Sequence, residues 1–131
     1  MSKKSLLKSL FENIYNPDIN PEKFIQKFVR LDYKQVVDGH KIDYEGFIEH
    51  IKKQREVVES VRFEFIYLVE EGDMVASLHR VYANMKLDNR NLIAEVHAFF
   101  KFDEHMLVSC DERTRIIQGK PEDEDLGRRK Y

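Results

Sequence analysis

Hydrophobic and polar positions alternate through most of the second half of the chain, which is the pattern of half-buried β-strands. Four such runs cover residues 61–69, 74–87, 92–102 and 106–117, and short turns rich in Gly, Asp and Asn separate them. Consecutive strands joined by short turns pair in the antiparallel sense. The sequence therefore predicts a four-stranded meander.

The first half shows helical spacing instead. Apolar residues recur three and four positions apart over residues 5–15, and again after Asn20, which is predicted to cap a second helix that starts at Pro21. A short strand over residues 31–37 ends at the turn Asp38-Gly39. Asp43 is predicted to cap a third helix that reaches about residue 59. One stripe of that helix carries Phe47, Ile51, Gln54 and Val58.

Helix, helix, strand, helix and four strands, in that order, predict an α+β fold. We expect the three helices to pack on the concave face of a strongly curved mixed sheet and to leave a pocket at the open end. Residues 1–119 are predicted to form this single domain. Residues 120–131 carry an acidic block and then a basic one, which is typical of a solvated tail. The alternative is a clip that docks on its own domain or on a partner subunit.

Composition narrows the function classes. The chain has 131 residues, a net charge of −2 and no run of about 18 apolar residues, so we expect neither nucleic-acid binding nor a membrane span. Its start lacks a signal-peptide core. The single cysteine, Cys110, excludes an internal disulfide and indicates a reducing compartment, by default the cytoplasm.

The last predicted strand places a carboxylate among apolar neighbours. Met106, Val108, Cys110, Glu112, Thr114 and Ile116 share its more apolar face by strand alternation. Desolvation there would raise the pKa of Glu112 towards neutrality, which suits a general acid or base. The alternative is an ordinary ion pair with an arginine from the neighbouring strand.

Two histidines and several aromatic residues are further candidates. His79 and His97 lie on adjacent predicted strands, either as proton shuttles in one pocket or as hydrogen-bonded structural residues. The predicted ligand pocket consists of Tyr15, Phe28, Tyr33, Phe63, Tyr67 and Cys110. The same aromatic residues are equally typical of a plain core, and Cys110 of an inert buried thiol. No metal site is predicted, since the acidic and histidine residues near Asp38 lie in a turn and a helix start.

Two segments carry a family resemblance. Glu71-Gly72-Asp73-Met74-Val75-Ala76 resembles the "e-G-D-x-V-a" turn of SnoaL-like proteins, and residues 100–108 (FKFDEHMLV) resemble their "y-r-F-x-d-G-k-I-v" hairpin. These proteins share a cone-shaped α+β fold with nuclear transport factor two and ketosteroid isomerase. His105 stands where the hairpin has its turn glycine, so a residue with positive φ is expected there. The exposed sheet face would suit a homodimer, as in many domains of this kind.

The resemblance also implies a role for one residue. In SnoaL-like cyclases an acidic residue a few positions after this hairpin does acid/base work, and Glu112 occupies that place here, after Asp111 where an aromatic residue is common. Three hypotheses follow. The chain is a cofactor-independent cyclase, isomerase or dehydratase acting on a small apolar carbonyl compound, with Glu112 assisted by His97 or His79. Alternatively it is a non-catalytic binder of a small apolar or aromatic ligand, or a dimeric scaffold whose cone is filled by side chains.

Overall fold

The computed structural model describes residues 2–119 and contains three helices and six strands; the predicted charged tail, residues 120–131, lies outside the described residues. The elements are α1 (Lys3–Ile14), α2 (Pro21–Phe28), β1 (Val29–Val37), β2 (His40–Asp43), α3 (Tyr44–Val57), β3 (Val58–Glu71), β4 (Met74–Met85), β5 (Asn91–Asp103) and β6 (Met106–Gln118). No helix within residues 2–119 is long and apolar enough to cross a membrane.

Side-chain caps start the helices where the sequence predicts them. The Asn20 side chain accepts a hydrogen bond from the Lys23 N–H, and Asp43 Oδ1 accepts one of 2.8 Å from the Gly46 N–H. Each cap satisfies one of the amide donors that a helix N-terminus leaves without a partner. Both predicted caps are confirmed.

All six strands form one mixed sheet in the order β2-β1-β6-β5-β4-β3. The predicted meander β3 to β6 is antiparallel throughout, whereas β1 pairs in parallel with β6. The short edge strand β2 was not predicted. It follows β1 through a two-residue turn in which Asp38 and Gly39 both have positive φ, the geometry that favours Asp-Gly in a hairpin.

A β-bulge reverses the outer half of β3. At Ile66 the pairing advances by two residues in β3 and by one in β4. One inserted residue exchanges the two faces of a strand. Leu68 therefore packs on the core, whereas Tyr67 and Val69 are 67% and 60% exposed. The prediction that Tyr67 belongs to the ligand pocket is therefore wrong.

A second bulge lies in β6, where Val108 is the extra residue in the pairing with β5. Leu107 and Cys110 are both buried as a result, so the predicted inner face is correct only from Cys110 onwards. In the preceding turn the positive φ lies at Glu104 and not at His105 as predicted.

The helices cover one face of the sheet, and the core lies between them and the sheet. The inner faces of β4 and β5 are buried as the alternation predicts. Arg55 of α3 fixes the connection between α1 and α2, because its guanidinium donates to the backbone carbonyls of Ile14, Asn16 and Ile19 at 2.9–3.2 Å. α1 is thereby held over the sheet at its C-terminal end.

Candidate functional site

A cavity of about 130 Å³ lies between the helices and the inner face of the sheet. Most of its wall is apolar or aromatic, and the polar side chains that reach it come mainly from β1, β6 and α3. The aromatic rings in its wall are those of Phe11, Tyr15, Tyr33, Phe47, Phe63, His50, His79 and Phe100.

Glu112 is the one carboxylate among the residues that line this cavity in the described part of the chain. The parallel pairing of β1 with β6 sets Gln35 opposite Cys110 and Val37 opposite Glu112. Gln35 and Glu112 therefore lie two residues apart on neighbouring strands, about 8 Å between Cα atoms from strand geometry. Both side chains line the cavity.

Burial changes the charge state of Glu112. Desolvation, followed by the negative charges of Asp38 and Asp111, raises the pKa of the Glu112 carboxyl to about 7. The alternative of an ion pair is not what the structure shows: within residues 2–119, no salt bridge involves the Glu112 carboxylate, and the arginines of β6 point outward to Asp111 and Glu95. A carboxyl of this kind exchanges protons near neutral pH.

Two tyrosine hydroxyls reach the same cavity. The Tyr33 hydroxyl donates a 2.6 Å hydrogen bond to Gln35 Oε1, and the Tyr15 hydroxyl donates one to Gln54 Oε1. Burial and the Glu112 charge raise the pKa of Tyr15, and burial, Cys110 and Glu112 raise that of Tyr33. Both hydroxyls therefore remain protonated at neutral pH.

His79 lines the cavity from β4 and is neutral at physiological pH. Its Nδ1 lies 2.9 Å from Ser77 Oγ, and its ring packs against Phe11 and Phe65 at centroid distances of 5.3 and 5.4 Å. Burial, followed by the charge of His97, lowers the pKa of His79 to about 4. A cation is thus disfavoured at this point of the wall.

Cys110 lies beside Glu112 on the same wall. Burial, with the charges of Glu112 and Asp111, raises the pKa of its thiol well above the usual range. A nucleophilic cysteine needs the thiolate. The side chain therefore contributes shape to the cavity and no nucleophile at neutral pH.

Three of the predicted site residues lie outside the cavity wall. His97 is on the outer face of β5, with a side chain 65% exposed and Nε2 3.9 Å from Glu95, because alternation sends it away from Val96 and Ala98. Tyr67 is turned outward by the β3 bulge. Phe28 packs on Phe24 at the end of α2, at a centroid distance of 4.7 Å. The predictions that His97 assists catalysis and that Tyr67 and Phe28 line the pocket are therefore wrong.

The remaining predicted residues, Glu112, His79, Tyr15, Tyr33, Phe63 and Cys110, all line the cavity. Four further cavity-lining residues were not predicted to belong to the site: Gln35, His50, Gln54 and Thr114. Spacing contained a signal for them. Gln35 is in phase with Tyr33 on β1, and His50 lies three residues from Phe47 and four from Gln54 on α3.

The cavity can orient a carbonyl compound beside an acid/base group. The Tyr33 hydroxyl occupies Gln35 Oε1, which leaves the Gln35 amide hydrogens as donors towards a ligand oxygen. Glu112 lies on the next strand and lines the same cavity. A hydrogen-bond donor and a carboxyl of near-neutral pKa are sufficient for enolisation.

Comparison with known proteins identifies the fold. No protein-family model matches the chain. An uncharacterized protein of Schizosaccharomyces pombe is 26% identical over 95% of this chain and 94% of its own length.

Solved structures with the same architecture are far more distant in sequence. AclR of Streptomyces galilaeus, a proposed hydroxylase, matches with a TM-score of 0.73 at 14% identity and 95% coverage of both chains. IdmH of Streptomyces antibioticus, a proposed polyketide cyclase, matches with 0.74 at 11% identity, over 87% of this chain and 92% of its own. A proposed SnoaL-like polyketide cyclase of Jannaschia matches with 0.71 at 11% identity, over 84% and 83%. The chain thus has the cone-shaped α+β fold of SnoaL-like and ketosteroid isomerase-like proteins.

Proposed function

We propose that this domain binds a small, mainly apolar carbonyl compound in its cavity and catalyses proton transfer next to the carbonyl, with Glu112 as the acid/base residue. The observation that carries the proposal is a single carboxyl, in no ion pair within residues 2–119, on the wall of an otherwise apolar cavity. Cyclisation, isomerisation and dehydration all begin with such a transfer. The proposed cyclases of the same fold are consistent with this class of reaction.

The cavity volume sets the size of the ligand. Its 130 Å³ is similar to the roughly 150 Å³ of an apolar cavity that accommodates benzene. A ligand of about one ring therefore fits without displacing side chains. A four-ring compound would require the aromatic wall formed by Phe11, Tyr15 and Phe63 to move apart, at the expense of the ring contacts of 4.9 and 5.3 Å that Phe63 makes.

A thermal-shift series tests both the ligand class and its size. We expect single-ring enones and aromatic ketones to raise the unfolding midpoint, and steroids of the same polarity to have little effect. A ligand at about 100 times its dissociation constant contributes about 2.7 kcal/mol, which corresponds to several degrees. The Glu112→Gln variant should retain most of this shift, since the two side chains have the same shape, and should lose turnover of any compound that the wild type converts.

Asp111→Asn is the matched control, because Asp111 is the next residue of the same strand and points outward to Arg113. It should retain turnover. A shift that only steroids produce would contradict the size argument. No shift with any carbonyl compound would favour the alternative, a scaffold whose cone is filled by its own side chains.

We further propose that the outer face of the sheet is a homodimer interface. Val69, Ala76 and Phe99 are cross-strand partners on β3, β4 and β5, and Tyr67 and Met74 extend this exposed apolar patch. An apolar patch that continues across three strands is typical of a surface that binds another protein. Its edges carry both signs of charge, which suits self-association.

Phe99→Asp is therefore expected to convert the dimer to a monomer. Phe99 is 60% exposed in the middle of the patch, and placing a charge there should weaken association at least about 30-fold, the effect of a central interface residue. Leu31→Asp is the control, since Leu31 is 83% exposed on β1, away from the patch. Sedimentation equilibrium of the wild type, Phe99→Asp and Leu31→Asp measures the oligomeric state of each. The proposed interface would be overturned if the wild type is monomeric at about 100 µM, or if Phe99→Asp is still a dimer.

A further inference from the structure

A second carboxylate is fixed beside Glu112 by the main chain. Asp38 follows β1 directly, and its N–H donates a 3.0 Å hydrogen bond to the Glu112 carbonyl oxygen. Its Oδ1 accepts a 2.8 Å hydrogen bond from the Thr114 N–H. Asp38 thus spans the two cavity-lining residues Glu112 and Thr114 along β6.

The turn geometry explains why a side chain takes this place. Asp38 has φ of 49°, so the chain leaves the β1–β6 ladder at this residue and its own carbonyl no longer continues the ladder. The Asp38 carboxylate supplies the missing acceptor for the Thr114 amide. Asp and Asn are the residues that best combine a left-handed backbone with a short side-chain acceptor.

We propose that Asp38 is a positioning residue for Glu112: its carboxylate, locked at the end of β1, fixes the β6 backbone around Glu112 and adds a negative charge beside this segment. The inference rests on the proposed function only in that Glu112 is the working carboxyl. Negative charge at Asp38 disfavours a second negative charge on Glu112, so Glu112 retains its proton to higher pH. Burial is the largest cause of the raised pKa of Glu112, and the charge of Asp38 comes next, ahead of that of Asp111.

The other ionisable groups around Glu112 act differently. Tyr15 at the end of α1, Tyr33 from β1 and Cys110 from β6 are neutral at pH 7, because burial raises the pKa of each. His50 of α3 also lines the cavity. Asp111 points away from the cavity, and its charge is offset by Arg113 at 2.7 Å. The test therefore removes the charge of Asp38, where asparagine has the same shape and keeps an oxygen acceptor for the Thr114 amide.

Asp38→Asn removes that charge and retains an oxygen acceptor for Thr114. The experiment follows the ¹³C signal of the Glu112 carboxyl against pH in the full chain, with the signal assigned by its loss in Glu112→Gln. We expect the wild-type midpoint to lie near 7 and the Asp38→Asn midpoint to lie lower by about half a pH unit or more. Asp32→Asn is the control, since it removes an exposed carboxylate that pairs with Arg30 elsewhere in the chain, and its midpoint should match the wild type.

A third variant separates charge from structure. Asp38→Ala removes both the charge and the acceptor, so its Glu112 midpoint should also lie below that of the wild type, and its free energy of unfolding should be lower than that of Asp38→Asn. Equal Glu112 midpoints in wild type and Asp38→Asn would overturn the role of Asp38 and leave the proposed function intact. A wild-type midpoint near the ordinary value of a glutamate would overturn both.

Discussion

Replacing Glu112 with glutamine is expected to raise the free energy of unfolding at pH 8 by about 2–3 kcal/mol, although it removes the proposed catalytic group. A pKa of about 7 in the folded state, against 4.5 as the reference, means that the folded protein retains a proton that the unfolded chain releases. Stability therefore falls as pH rises from about 4.5 to 7, and the full cost, at most about 3 kcal/mol, is present above pH 7. Glutamine is never charged, so the variant does not lose this stability above pH 7.

Urea unfolding of both proteins at pH 4.5, 6 and 8 measures this difference. It should be small at the lowest pH and should grow as pH rises. Asp32→Asn, which removes an exposed carboxylate, should change stability by less than about 1 kcal/mol at every pH. A Glu112→Gln variant that is less stable than wild type at pH 8 would mean that the Glu112 carboxylate is paired, and would contradict the structure.

The second large effect is expected at His79, with the opposite sign. Its pKa of about 4 in the folded state lies below the 6.5 of the unfolded chain, so the unfolded chain takes up a proton first as pH falls. Stability is lost from about pH 6.5 down to 4, by up to about 3 kcal/mol. His79→Asn keeps a polar partner for Ser77 and does not titrate. The variant should be less stable than the wild type at pH 7, because the smaller side chain leaves a small cavity. On acidification, however, its free energy of unfolding should fall by less than that of the wild type.

The two titrations overlap between about pH 4.5 and 6.5, where their contributions to the slope of stability against pH are equal and opposite. In that range Glu112→Gln should show stability that rises with pH, and His79→Asn stability that falls with pH. The comparison is made by urea unfolding in half-unit steps of pH. Parallel curves for wild type and His79→Asn would show that His79 titrates normally, and so that it is not buried in the aromatic wall.

The sequence predicts the fold well because alternation and helix caps are local signals. The inner faces of β4 and β5 and the caps Asn20 and Asp43 follow directly from them. The outer half of β3 does not, because the extra residue at Ile66 lies within an uninterrupted apolar run, where alternation cannot show which residue is inserted. Tyr67 was misplaced for this reason.

The site is predictable only in part. Glu112 follows from strand alternation and from the family resemblance alike. His97 was predicted to reach the pocket because its strand is next to that of His79. A residue on a neighbouring strand reaches the same pocket only if it lies on the same face of the sheet, and His97 does not. The partnership of Gln35 with Glu112 depends on the parallel pairing of β1 with β6, and a contact between segments so far apart in the chain has no local sequence signal.

The most direct test of the account is hydrogen–deuterium exchange at the carbon next to the carbonyl of a one-ring enone, 2-cyclohexen-1-one, followed by proton NMR in D₂O at neutral pH. This reports proton transfer by the cavity without knowledge of the natural substrate. We predict that the wild type and Asp111→Asn accelerate the exchange, and that Glu112→Gln slows it by about 100-fold or more, the range of a general base. Exchange that is equally fast with wild type and Glu112→Gln would contradict the claim that Glu112 is the acid/base residue of this domain.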